Sequence, residues 1–222
     1  MLSPLKATNH RSGFLISLAN YSFVEQADML EKIQAQFNES IQTQIQMANE
    51  MPPILNECAQ RIVQCLLSDN KIIVCGHGRS YINAQLLVSY LLHRYQLARP
   101  SFAAQLLHFD GVLAGVMVEE NELAHLYSKQ LQAIGKEGDL FITFSPSGNE
   151  QAVLNASHAA KNIGMNILAF SSSRNDHTKG LLDDHDLEII IPSHNEARIL
   201  ESHQFCVNLL GELIDSLLFS KK

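Results

Sequence analysis

The ten residues 141–150, FITFSPSGNE, join a short apolar run to a helical pattern through small hydroxyl residues, a glycine and an asparagine. Such a junction directs backbone N–H groups and hydroxyls at one spot, with the positive end of the helix dipole behind them, and this suits phosphate or another anion. The alternative is a tight turn in which a serine or asparagine caps the helix. The candidate anion-binding residues of this loop are Ser145, Ser147, Asn149 and Glu150.

A second loop of similar composition follows the β-branched run KIIVCG at 71–76. Its candidate anion-binding residues are Gly76, His77, Arg79 and Ser80. Arg79 could supply positive charge to a phosphate, whereas the carboxylate of Glu150 in the other loop would repel it. Arg79 and Glu150 could instead pair across the two loops and close the site. A dinucleotide site is disfavoured, because GHGRSY lacks the third glycine of the fingerprint and no acidic residue follows at the expected distance.

Alternating strand and helix patterns position these loops. Short apolar runs predict strands at 71–76, 102–107, 139–144, 166–171 and 187–191. Helical patterns cover about 77–97, 124–134, 151–163 and 196–219, and two amphipathic helices precede the first strand. Nearly unbroken apolar strands between helices predict an α/β fold, a three-layer sandwich with a five-stranded parallel sheet. Ligands bind beyond the carboxyl ends of the strands in such sheets, and both loops fall there.

Two apolar surfaces have more than one interpretation. The first helix carries a stripe and ends at Pro52-Pro53, and the stripe either packs in the core or forms a subunit interface. Its residues are Leu30, Ile33, Phe37, Ile41 and Ile45. The last helix ends in Leu218 and Phe219, which are costly to expose. These two residues either pack against a neighbouring helix or bind a partner.

Composition limits the classes of function. A chain of 222 residues usually forms one domain, and the polar start of the sequence predicts an extension at 1–28 before a single domain at 29–222,. A net charge of −7 without a basic cluster disfavours direct binding of nucleic acid,. Four cysteines without paired spacing indicate reduced thiols and a cytoplasmic protein,. No apolar run is long enough to span a membrane,.

The segments CGHGRS, SPSGN and PSHNEARILESH, the last leading into a long terminal helix, resemble the sugar isomerase (SIS) domain, which has a flavodoxin-like fold. Within that family they are similar to the phosphoheptose isomerase branch, whose two loops are close to CGNGGS and STSGNS. The segments KQLQAIGKEGDL and VNLLGELIDSLLF, among others, are more similar to a branch whose members associate with the replication initiator DnaA. This similarity extends from about Met29 to the C-terminus.

The resemblance to phosphoheptose isomerases implies a zinc site on two helices, but this chain departs from it. The family's zinc positions fall on Leu86, Tyr90, Leu200 and Asn208. None of these is a good zinc ligand, and neither Leu86 nor Tyr90 can act as the base of an aldose–ketose isomerisation at neutral pH. We therefore predict no catalytic residue, no metal and no cofactor. His203, on the last helix, is expected to be a hydrogen-bonded structural group.

The resemblance to the initiator-associating branch implies a non-catalytic homotetramer that binds DnaA and regulates the initiation of replication. Leu218 and Phe219 are the candidate partner-binding residues. Two other functions stay open. One is phosphosugar isomerisation by a relocated catalytic pair, and the other is a regulatory domain that binds a sugar phosphate.

Overall fold

The computed structural model describes residues 23–174 and 180–219, with side chains from residue 28 onward. Among the described residues, the division between two compact units falls after Gln42, within the first helix. The helices in the described residues are α1 (Phe23–Glu50), α2 (Pro52–Leu67), α3 (Tyr81–Leu92), α4 (Gly111–Glu119), α5 (Leu126–Ile134), α6 (Gln151–Ile163) and α7 (Glu196–Phe219). The strands are β1 (Ile72–Gly76), β2 (Ala104–Leu106), β3 (Leu140–Phe144), β4 (Asn166–Ser172) and β5 (Leu187–Ile191).

The five strands form one parallel sheet in the order β2-β1-β3-β4-β5. This confirms the predicted α/β class and the five-stranded parallel sheet. The strand order reverses between β1 and β3, and a crevice opens at such a reversal beyond the carboxyl ends of the strands. The two loops predicted to bind an anion follow these two strands, so the topology places them side by side.

Helices cover both faces of the sheet, as the unbroken apolar strands predict. Successive side chains of a strand point to opposite faces. In β1, Ile72 and Val74 pack into one core cluster with residues of α2, α3 and α7, whereas Ile73 and Cys75 pack into another with residues of α5 and α6. All four side chains are fully buried. A strand that is buried on both faces cannot alternate polar and apolar residues, which explains the sequence of this run.

Helix α3 ends at Leu92, so the predicted end at about Leu97 is wrong. The Arg99 guanidinium donates hydrogen bonds to the carbonyl oxygens of Tyr90, at 2.6 Å, and Leu91, at 3.1 Å. These carbonyls belong to the last turn of the helix, where no intrahelical donor is available. Arg99 also forms an ion pair with Asp215 on α7, with Nε 2.8 Å from Oδ1. A long-range contact of this kind leaves no periodic signal in the sequence.

Helix α4 is absent from the sequence-based prediction. Its residues GVLAGVMVE are apolar on every side, so they lack the one-sided periodicity of an amphipathic helix,. The only local signal is Asp110, whose Oδ1 accepts hydrogen bonds from the backbone N–H groups of Val112, at 2.8 Å, and Leu113, at 3.1 Å. This is an aspartate N-cap, which satisfies two donors at the start of the helix.

The predicted stripe on α1 is exposed in the single chain. Leu30 is 61% exposed and Phe37 is 67% exposed, and the other members of the stripe are about half exposed.

The first helix ends at Glu50 and a new helix begins at Pro52, which confirms the predicted break. Within the described residues, no helix is both long enough and apolar enough to cross a membrane.

Candidate functional site

The loop after β1 needs glycine at its first position. A Cβ atom on Gly76 would lie 2.6 Å from the backbone oxygen of Ser80, closer than such atoms approach in proteins. The chain then turns through Gly78, which has a φ of +57°, a value that favours glycine,. The tight turn brings His77 and Ser80 to the start of α3 at the end of the sheet.

The loop after β3 is organised by its own serines. The buried hydroxyl of Ser145 accepts a hydrogen bond from the backbone N–H of Gly148, at 2.8 Å. Gly148 has a φ of +68°, so the turn again uses the left-handed region,. The Ser147 hydroxyl accepts a longer hydrogen bond from the backbone N–H of Asn149, at 3.4 Å, and the side chain of Asn149 is exposed.

The carboxylate of Glu150 folds back onto these serines. The Ser147 hydroxyl donates to Glu150 Oε1 at 2.8 Å, and the Ser145 hydroxyl donates to Glu150 Oε2. Arg79 does not pair with Glu150, because its Nη1 donates to Oε1 of Glu196, at 2.9 Å, on the first turn of α7. The alternative of an Arg79–Glu150 pair is therefore wrong: Arg79 pairs with a different carboxylate, and Glu150 accepts from serine hydroxyls.

A cavity of about 150 Å³ lies between the two loops. Five of the eight predicted anion-binding residues line it, namely His77, Arg79, Ser80, Ser147 and Glu150. Gly76, Ser145 and Asn149 are not among the lining residues. Arg174 and Glu196 also line the cavity but were not predicted. The parallel topology could have indicated them, because the loops after β4 and β5 end at the same edge of the sheet.

Two polar atoms at this cavity are buried without a hydrogen-bond partner in the described part of the chain. They are Ser80 Oγ and His77 Nδ1. Ser80 is fully buried, and the His77 ring lies edge-on to Tyr127 with the ring centroids 6.3 Å apart. Buried polar groups without partners are rare and costly, so they mark positions where a polar ligand or water can bind.

Two of the four positions that the resemblance matches to the family's zinc site form a neutral hydrogen-bonded pair. Tyr90 on α3 donates its hydroxyl proton to Oδ1 of Asn208 on α7, at 2.9 Å. Burial raises the pKa of the Tyr90 phenol, so the group stays protonated at neutral pH. Leu86 packs against the core, and the backbone carbonyl of Leu200 accepts a hydrogen bond from Asn83 Nδ2 at 3.0 Å. These residues do not fit a zinc ion, which requires imidazole, thiolate or carboxylate ligands.

Among residues 28–174 and 180–219, no group of three or more His, Cys, Asp or Glu side chains could hold a metal ion. His203 is fully buried, with Nε2 3.0 Å from the carbonyl oxygen of Ser171 and with Phe144 and Phe170 edge-on to its ring. Burial lowers the pKa of His203 to about 4. The imidazole is therefore neutral at physiological pH and donates from Nε2 to the carbonyl.

The two candidate partner-binding residues at the end of α7 have different environments. Leu218 is half-buried against the core, whereas Phe219 is 42% exposed and stacks on Phe102 with ring planes 11° apart. The neighbouring Leu217, which the sequence analysis did not single out, is 47% exposed. The accessible apolar surface at this helix end therefore consists of Leu217 and Phe219 more than of Leu218.

Comparisons with known proteins agree with this fold. The family model described as "SIS domain" matches residues 23–172. The DnaA initiator-associating protein DiaA of Serratia proteamaculans is 40% identical over 191 residues, which cover 86% of this chain and 97% of that protein. An uncharacterized protein of Haemophilus influenzae is 44% identical over 86% of this chain and 98% of its own length. The solved phosphoheptose isomerase of Francisella tularensis superposes with a TM-score of 0.80 at 31% identity, covering 85% and 98% of the two chains.

Proposed function

The chain belongs to the SIS domain family, and from that premise we propose that it is a non-catalytic scaffold that binds the replication initiator DnaA and regulates the initiation of replication. The observation that carries this proposal is the similarity to DiaA, which is 40% identical over almost the whole of that relative. A similarity of this extent includes the helices and loops that surround the site, and not only the sheet that all members of the fold share.

The Tyr90–Asn208 hydrogen bond supports the non-catalytic part of the proposal. An aldose–ketose isomerase needs a group that moves a proton between adjacent carbons near neutral pH. Tyr90 has a raised pKa and donates its proton to Asn208, so it offers no base. His203 is enclosed by aromatic rings and the backbone, so its neutral imidazole does not reach the cavity.

A scaffold needs several copies of one binding site, and we propose that the chain forms a homotetramer. The exposed stripe that includes Leu30 and Phe37 supports association, because apolar patches of this kind are typical of protein–protein interfaces,. A symmetric tetramer would present each weak site four times and raise the effective concentration of bound initiator molecules. The net charge of −7 suits a protein that acts on DnaA without binding DNA,.

We propose the end of α7, with Leu218 and Phe219, as the contact for DnaA. Phe219 and the adjacent Leu217 expose apolar surface there. Phe219 stacks on Phe102, and the Arg99 guanidinium lies 3.8 Å from the centre of the Phe102 ring.

We also propose that residues 1–28 form an extension, that residues 29–222 form one SIS domain, and that the protein is located in the cytoplasm.

The second candidate is a function that uses a sugar phosphate, either isomerisation or ligand sensing. It is favoured by the 31% identity to the Francisella tularensis phosphoheptose isomerase. Turnover of sedoheptulose 7-phosphate by the purified chain would support isomerisation. Thermal stabilisation by that compound without turnover would support sensing.

The test of the proposed function is binding of the purified chain to purified DnaA, measured by surface plasmon resonance. The variants Leu218→Ala/Phe219→Ala and Leu217→Ala/Phe219→Ala should both weaken binding at least tenfold. The second variant keeps the half-buried Leu218, so weaker binding by that variant reflects the loss of a contact with DnaA and not damage to the core of the chain. The control Val112→Ala/Val118→Ala removes exposed apolar side chains on α4 and should bind as the unmodified chain does. No binding of DnaA by a folded, oligomeric chain would refute the proposal.

A further inference from the structure

The two serines of the loop after β3 already hold an anion that belongs to the chain itself. The Ser147 hydroxyl donates to one oxygen of the Glu150 carboxylate, at 2.8 Å, and the Ser145 hydroxyl donates to the other. The orientation of the Ser145 hydroxyl is also fixed, because its oxygen accepts a hydrogen bond from the backbone N–H of Gly148 at 2.8 Å. Both hydroxyl protons are therefore directed at the carboxylate, at the place where the sequence predicts an external anion.

We propose that Glu150 is an internal ligand of this serine pair and that its carboxylate excludes phosphate esters from the neighbouring cavity. A phosphate on the same hydroxyls would have to displace both hydrogen bonds of the carboxylate. It would also bring a second negative charge beside the first, which is unfavourable where water is partly excluded. Glu150 thereby determines which ligands the two-loop site can accept.

The size of the cavity agrees with a closed site. Its volume is about 150 Å³, whereas sites for small molecules usually enclose roughly 300–1,000 Å³,. Glu150 lines the cavity, so its side chain takes up part of the space between the loops. Arg79 pairs with Glu196, which lines the same cavity, so a carboxylate of the chain already balances part of the positive charge that could attract a phosphate.

The other polar groups at this position remain suitable for an anion. Ser80 is fully buried, its hydroxyl has no partner in the described part of the chain, and it lines the same cavity. Arg79 and Arg174 supply positive charge at the rim. Removal of the Glu150 carboxylate would leave three serine hydroxyls, two guanidinium groups and the Glu196 carboxylate, which is paired with Arg79, around a larger space. We therefore expect a latent phosphate site that a single substitution opens.

The experiment compares the full-length chain with Glu150→Ala, which removes the carboxylate, and Glu150→Gln, which removes its charge but keeps its size. Isothermal titration with glucose 6-phosphate, and separately with inorganic phosphate, measures affinity at pH 7.5 without DnaA. We expect Glu150→Ala to bind glucose 6-phosphate at least tenfold more tightly than the unmodified chain, and Glu150→Gln to lie between them. The triple variant Ser145→Ala/Ser147→Ala/Glu150→Ala should lose the gained affinity.

Equal affinity of the unmodified chain and Glu150→Ala would overturn the inference, whether both bind the sugar phosphate or neither does. A gain that survives in the triple variant would also overturn it, because the serines would then not be the site. Thermal unfolding of each variant, followed by circular dichroism, checks that the compared proteins are folded. The readout is phosphate affinity in the absence of DnaA, so its result is separate from the success or failure of the proposed function.

Discussion

Tyr90 and Asn208, which lie on different helices and 118 positions apart, are joined by a hydrogen bond of 2.9 Å from the tyrosine hydroxyl to the asparagine Oδ1. The bond links α3 to α7 at the position where phosphoheptose isomerases are expected to hold zinc. Both groups are neutral, and each satisfies the other. The pair therefore contributes to packing between two helices and supplies neither a metal ligand nor a general base.

The first prediction concerns this pair. Tyr90→Phe should reduce the free energy of unfolding by about 1 kcal/mol, because it leaves the Asn208 carbonyl oxygen without its donor. A double-mutant cycle with Asn208→Ala, measured by urea denaturation, should give a coupling energy of about 0.5–1 kcal/mol. A coupling energy indistinguishable from zero would show that the two side chains do not interact in solution.

The second prediction concerns the buried ion pair between Arg99 and Asp215, whose side chains are 2% and 5% exposed. Asp215→Ala should lower the free energy of unfolding by roughly 3–5 kcal/mol, because it leaves the Arg99 charge buried without its carboxylate. Urea denaturation measures the change. The matched control is Glu122→Ala, which breaks the exposed pair with Lys129 and should leave the denaturation midpoint unchanged,. Equal effects of the two substitutions would contradict the assigned role of Asp215.

The third prediction concerns the dependence of stability on pH. Burial lowers the pKa of His203 to about 4, so the folded state keeps the neutral ring while the unfolded chain takes up a proton below pH 6.5,. The stability that folding gains by burying a neutral His203 ring is fully present above pH 6.5 and is lost as the pH falls through 4,. The pKa difference corresponds to roughly 3 kcal/mol.

His203→Gln should therefore flatten the fall in the free energy of unfolding between pH 6.5 and 4, measured by urea denaturation at closely spaced pH values. The control is His158→Gln on the exposed face of α6, which should leave the slope as it is in the unmodified chain. A slope that His203→Gln does not change would mean that the His203 ring takes up its proton in the folded state.

The fourth prediction concerns Gly76. Gly76→Ala would place a methyl group 2.6 Å from the Ser80 carbonyl oxygen, so the backbone of the loop must move. We expect a loss of about 1–3 kcal/mol in the free energy of unfolding, as for other overpacked sites. The control Gly115→Ala, in the middle of α4 with open space around it, should instead stabilise the chain by up to about 1 kcal/mol,. A Gly76→Ala variant as stable as the unmodified chain would rule out the tight turn.

Local patterns in the sequence predicted much of the fold. The bounds of α6, β5 and α7 agree with the prediction, since each has clear periodicity or a capping residue such as Gly164 after α6,. Helix α4 was not predicted because it is apolar on every side. The end of α3 was predicted too late, because Arg99 bonds the carbonyl oxygens of its last turn and is itself held by an ion pair with the distant Asp215. Elements with a clear local signal were therefore predicted, whereas an element without periodicity and a helix end set by a long-range contact were not.

The site was predicted less completely, for the same physical reason. The loops after β1 and β3 were identified because glycine and serine at strand ends are visible in the sequence. The partner of Arg79 was not predicted, because Glu196 lies on the first turn of α7, and only the assembled sheet brings the two residues together. The orientation of the Glu150 carboxylate likewise depends on backbone geometry at Gly148, which composition does not specify.

The measurement that tests the central claim most directly is the mass of the complex between this chain and DnaA, obtained by light scattering during gel filtration at saturating DnaA. The scaffold account predicts an oligomer of this chain that carries more than one DnaA molecule, with no turnover of sedoheptulose 7-phosphate by the same preparation. An oligomer that carries no DnaA, or one that turns over the sugar phosphate, would contradict it.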